Sequence, residues 1–132
     1  MIPVMQTITS GPRSNCMQAA IASIFELEID QVPNFAEFYE NDDWAQKYHD
    51  FCLTQGVYPL TVAPITQEGN PPALFGYHLI RVETTRGRQH AVVGFNGSVV
   101  HDPYPGGSEI VKVTNYDVFV SLMHDAGKDG DA

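Results

Sequence analysis

Met17, Ala20, Ile21, Ile24 and Leu27 recur at helical spacing, and the polar run from Ser10 to Asn15 stands directly before them. The pattern predicts a helix with one apolar stripe turned to a core, capped by Ser14 or Asn15 after a turn at Ser10-Gly11-Pro12. Residues 1–13 read as extended up to that break. Asp30-Gln31-Val32-Pro33 reads as a connector, because a residue that precedes proline avoids helical backbone. A short helix over 35–40 and a longer one over 42–55 follow. In the longer one Asp42 is the expected cap, Trp44, Tyr48, Phe51 and Cys52 form the apolar stripe, and Gly56 supplies the stop.

After Gly56 the period changes to that of strands. The alternation predicts five, over 57–63, 77–84, 89–95, 98–102 and 109–113, with the proline- and glycine-rich PITQEGNPP as an exposed loop between the first two. A last helix is expected over 116–124. Helices first and strands later, on mostly short connections, imply an α+β domain with antiparallel pairing rather than a doubly wound sheet. At 132 residues the chain suits one domain. That domain is expected over 1–124, with 125–132, which lacks large apolar residues, as a flexible tail.

Composition narrows the partners. Hydrophobic residues at 43% against 17% charged residues mark a chain that folds. Sixteen acidic residues against seven basic ones give a net charge of -9, which repels phosphate backbones and anionic lipid, so nucleic acid and membrane are not expected partners. The first residues carry no basic n-region, and nothing later has the length of a membrane span, so a cytoplasmic location is expected. In a reducing compartment Cys16 and Cys52 are not expected to pair, and the helical stripe assigns Cys52 to the core.

Cys16 differs, because it falls where the loop becomes the first helix. A helix N-terminus favours a thiolate, and a nearby imidazolium favours it further. The candidate base is His90, which opens one predicted strand, and the candidate orienting carboxylate is Asp102, which closes the next. Whether they meet depends on the turn between them. A two-residue Asn96-Gly97 turn opposes Phe95 to Ser98 and His90 to Pro103, sending Asp102 to the other face. A three-residue Phe95-Asn96-Gly97 loop opposes Gly94 to Ser98, Val92 to Val100 and His90 to Asp102, with Ala91, Val93 and Val99 packing on the other face. The alternation leaves both registers open; the chemistry of a dyad favours the second. Cys16, His78, His90 and Asp102 show no tight ligand spacing, and Tyr104-Pro105-Gly106-Gly107 has no phosphate-loop signature, so neither metal nor cofactor is expected.

Asn15-Cys16 opening an alanine-rich helix, then His90-Ala91-Val92-Val93, then Asp102-Pro103, resembles the papain-like cysteine peptidase superfamily, and within it the small bacterial and phage C39-like group. The resemblance covers most of the chain on short motifs. It implies a papain-like α+β fold in which Cys16 is the nucleophile, His90 the general base and acid, and Asp102 the orienting carboxylate. It also implies an upstream glutamine that helps hold the oxyanion, for which Gln6 is the candidate and Gln18 or Asn15 the alternatives. The function so implied is that of a thiol hydrolase or acyl transferase on an amide, isopeptide or related acyl bond of a peptide, protein or small molecule. The rival class is a non-catalytic papain-like binding protein, such as a phage-encoded inhibitor that occupies a host partner.

Overall fold

The structure, a computed structural model, describes residues 1–122. Two α-helices, α1 (Cys16–Phe25) and α2 (Trp44–Thr54), are separated by two short 3-10 helices at Ile29–Gln31 and Phe35–Phe38. Five strands follow: β1 (Val57–Val62), β2 (Tyr77–Thr84), β3 (Gln89–Phe95), β4 (Ser98–His101) and β5 (Ile110–Ser121). They form one antiparallel sheet in the order β1-β5-β2-β3-β4. The domain is thus α+β, with its helices ahead of its sheet. Among the described residues no helix is long and apolar enough to cross a membrane.

The expected stripe of α1 is the least of what it buries. Met17, Ala19, Ala20, Ile21, Ala22 and Ser23 are all buried, since α1 lies across β3 and β2 with the other helical elements against its outer side. Small residues allow that close packing, and each large side chain removed from water there, such as Ile21 or Phe35, contributes about 1.5–3 kcal/mol. Helix α2 packs against β1 through Tyr48, Phe51 and Cys52. It ends at Gly56, whose φ of 75° suits glycine. Its N-cap position is held by Asp43, not the expected Asp42. The second face of the sheet carries a smaller cluster of Ile80, Val82, Val92 and Tyr116, against which Leu74 of the long β1–β2 loop packs.

Two sequence expectations are corrected. The helix expected over 116–124 is strand as far as Ser121, and its last residues lie outside the described ones, as does the expected tail over 125–132. Residues 116–121 pair with β1 along their length and Tyr116 and Asp117 pair with β2 as well, and this pairing satisfies their backbone as strand. The hairpin correction is more consequential. Asn96 and Gly97, at φ 52° and 89°, make the two-residue turn, with Phe95 opposite Ser98 and Gly94 opposite Val99. The register then slips, and Val93 pairs with His101, leaving Val100 as the extra residue of a bulge. Val99 and Val100 are exposed, so the packing expected of Val99 does not form.

Candidate active site

The bulge decides whether His90 and Asp102 share a side. Without it, the two-residue turn would put Asp102 opposite Ala91, one alternation step out of phase with His90. One extra residue restores the phase: continuing from Val93–His101 by one residue brings Asp102 beside Val92, on the side to which His90 alternates. His90 Nε2 and Asp102 Oδ1 lie 2.7 Å apart, both well covered. Asp102 Oδ1 also accepts from the Tyr104 backbone N–H at 2.9 Å, a local turn that fixes the carboxylate. The expected pair therefore forms, by a route other than the expected turn.

Cys16 completes the arrangement. It begins α1, is partly exposed and carries a free thiol. With Nε2 of His90 committed to Asp102, Nδ1 remains to serve the thiol, and Cys16 lies close enough to raise the ring's pKa. Burial alone would lower the His90 pKa, but hydrogen bonds with Asp102 and Cys16, and the charges of both, carry it up to about 9. Asp102 moves the other way. Burial raises it, yet hydrogen bonds from His90, Ser108 and the Tyr104 N–H, with the His90 charge, bring it down to about 2. Cys52 is the contrast: fully buried, its thiol is pushed up to about 12 by burial and then by the charge of Asp117.

Asn15 is the N-cap residue of α1, but its side chain makes no cap bond. Its Oδ1 accepts from the N–H groups of Thr7 and Ile8, and its Nδ2 donates to Thr7 Oγ1 and Gln18 Oε1. Asn15 therefore pins the N-terminal segment to the helix start and leaves the first-turn N–H groups without a side-chain acceptor. Gln6 lies on that pinned segment, is buried and lines the cleft with Cys16. Its Nε2 donates to Ile8 O at 3.0 Å and Ser14 Oγ at 3.2 Å, while its Oε1 is buried without a partner. Both amide hydrogens are thus engaged, and Gln6 offers an oxyanion no donor unless its amide turns over. The alternatives Asn15 and Gln18 are occupied as well, since Gln18 Nε2 donates to Ile29 O and Val32 O.

His78 and His101 hold structure. His78 is fully buried, and its Nε2 accepts from the Gly97 N–H at 2.9 Å, tying the hairpin turn to β2. His101 Nε2 meets Val4 O at 2.8 Å and helps clamp the N-terminal segment.

The thiol opens into a cleft of about 640 Å³ whose walls come from the loop before α1, the residues around the second 3-10 helix and the β2–β3 turn. Tyr39 and Arg81 reach its floor. The Tyr39 phenol is raised first by its covering and then by the Cys16 charge, with Arg81 opposing. Arg81 Nη2 pairs with buried Asp117 Oδ2 at 2.9 Å, its guanidinium lies 5.0 Å from the Trp44 ring centroid, and its Nε is buried without a partner. Asp117 further accepts from Tyr48 Oη, Thr61 Oγ1 and Asn115 Nδ2, so the carboxylate side of this ion pair is firmly anchored. The sequence pattern places Trp44 in the apolar stripe of α2 and assigns no cleft role to it, to Tyr39 or to Arg81. One signal was present: an arginine inside the apolar strand YHLIRVET needs a buried partner.

Comparison of the chain with family models, with curated proteins and with solved structures returns no match. The site is therefore read from its geometry.

Proposed function

We propose that this protein is a thiol hydrolase or acyl transferase of papain-like fold, acting on an amide, isopeptide or related acyl bond. The observation that carries the reading is the 2.7 Å contact between His90 Nε2 and Asp102 Oδ1, beside a helix-start cysteine that lines the same cleft as His90. An imidazole that holds its proton to about pH 9 beside a thiol is suited to a thiolate–imidazolium pair. Cys16 as thiolate would add to the acyl carbon, and the developing oxyanion would face the first-turn N–H groups of α1. His90 would then give its proton to the leaving group, whose departure leaves a Cys16 thioester. Water or an amine, deprotonated by His90, would release the acyl group and regenerate the thiol. Asp102 holds the ring in orientation throughout.

The test is trapping of Cys16 by iodoacetamide, followed site by site by mass spectrometry. The reading expects Cys16 to be alkylated near pH ~6.5, where an ordinary thiol is almost entirely protonated, while Cys52 in the same folded molecule stays unmodified. Equal sluggishness at both cysteines would remove the catalytic reading. A biological effect that survives Cys16→Ala with partner affinity intact would favour the binding-protein reading instead.

A further inference from the structure

The chain contains four arginines, Arg13, Arg81, Arg86 and Arg88, and all four line the cleft of Cys16 and His90. That concentration is unexpected for a protein of net charge -9. Arg81 is neutralised by Asp117 and belongs to the floor. The other three are exposed, and among the described residues none is paired with a carboxylate.

They come from two adjoining segments. Arg86 and Arg88 belong to the β2–β3 turn just before His90, and Arg13 to the loop just before Cys16. An Arg88 Nη1–Gly11 O hydrogen bond joins the turn to that loop. Arg86 is held over the Tyr104 ring, 3.6 Å from its centroid, and Nη2 donates to Ser108 Oγ at 2.9 Å. The Tyr104 N–H in turn donates to Asp102 Oδ1 at 2.9 Å, so the arginine rim is built onto the same frame as the His90–Asp102 pair. The acidic lining groups, Glu37 and Glu40, come from the second 3-10 helix and the residue run after it. The cleft therefore carries both signs, basic where the loop and turn meet and acidic on the segment 35–40, whose neighbour Asn34 donates from Nδ2 to Arg13 O at 3.1 Å.

We infer that the cleft selects an acidic peptide, laid so that carboxylates on one side of the scissile acyl group meet Arg13, Arg86 and Arg88. Guanidinium groups match carboxylates in bidentate geometry, and in a protein otherwise repulsive to anions such a rim also steers their approach. Glu37 and Glu40 repel acid where they line the cleft, so the peptide's negative charge is directed to the arginines. The overall charge disfavours a polyphosphate chain, which would extend beyond the rim onto an acidic surface. That the bound peptide is a substrate rests on the thiol reading; that it binds does not.

Trp44, the only tryptophan, lines the cleft and serves as reporter. Its fluorescence is titrated with blocked hexaglutamate, hexalysine and a short oligothymidine, each at low and high salt. Expected is a saturable change with hexaglutamate that weakens with salt, and none with hexalysine. In the folded triple variant Arg13→Gln/Arg86→Gln/Arg88→Gln the affinity falls about tenfold, as the loss of three exposed charge contacts implies. No saturable change with hexaglutamate, undiminished affinity in the triple variant, or tighter binding of hexalysine or oligothymidine overturns the inference. Iodoacetamide trapping of the same samples separates the two readings. A reactive Cys16 without preference for acid sinks the specificity alone, whereas acid binding over an inert Cys16 sinks the catalytic reading alone.

Discussion

Strand β3 has a buried histidine near each end, and the two are held in opposite ways. Near its last residues, His78 of the neighbouring strand β2 lies opposite Gly94 and accepts a hydrogen bond from Gly97 N–H. At its start, His90 faces Asp102. Burial pulls both rings toward the neutral form; at His78 that pull prevails, and at His90 the carboxylate and thiol overcome it. A buried histidine is thus a scaffold part or a charged partner according to what meets its second nitrogen. At one end a backbone N–H demands a lone pair; at the other a carboxylate demands a proton.

The sharpest break of this comparison is in reactivity. His90→Ala is expected to slow alkylation of Cys16 at neutral pH on the order of a hundredfold, the scale of a lost base. His78→Ala should leave the rate unchanged while lowering stability; equal effects of the two on alkylation would dissolve the distinction.

Next in size is Gly94→Ala. A Cβ at Gly94 would stand 2.3 Å from His78 Cε1 and 2.7 Å from Ile80 Cδ1, inside the distance any carbon pair tolerates. The ring cannot yield without losing Gly97, so the cost is about 2–3 kcal/mol, read as a lower urea midpoint. An unchanged midpoint would show that His78 is not the wedge described.

Asp102→Asn keeps an acceptor for Tyr104 N–H but removes the charge. The His90 ring, followed by NMR across pH, should titrate well below about 9, and alkylation at neutral pH should fall about tenfold. A ring that still titrates near its wild-type position would assign the shift to Cys16 instead.

The smallest effect is in the pH dependence of stability, where the two histidines have opposite signs. His78 has a folded pKa below its unfolded ~6.5, so the unfolded chain binds the extra proton and stability is lost as pH falls below that value. His90 has a raised folded pKa, so the native state binds the extra proton and stability is lost as pH rises from ~6.5 toward about 9. Chemical denaturation across pH, compared with the His78→Gln and His90→Gln variants, isolates the slope each ring contributes, and slopes of the same sign would contradict the assignment.

Local pattern made much of this legible. The stripe Tyr48, Phe51 and Cys52, the stop at Gly56 and the five strand positions follow from periodicity and glycine, properties that a few neighbouring residues carry between them. The three chemical groups were likewise legible, because a cysteine at a loop-to-helix junction and a histidine and aspartate at strand ends are local features. Residues 116–121 were not: apolar Tyr116, Val118, Phe119 and Val120 fit a helix face or a strand equally well, and the choice was made by the open places beside β1 and β2.

The sequence by itself determined that a thiol, an imidazole and a carboxylate would stand at element ends, because capping, turn chemistry and alternation act over a few residues. Only the tertiary structure decided that they meet. Asn96-Gly97 prefers the turn that separates His90 from Asp102, and one unpaired residue, Val100, brings them back into phase. The gathering of all four arginines on the cleft is decided the same way. Arg13 and Arg88 are far apart in the chain, and their approach depends on packing and pairing energies summed over the whole domain.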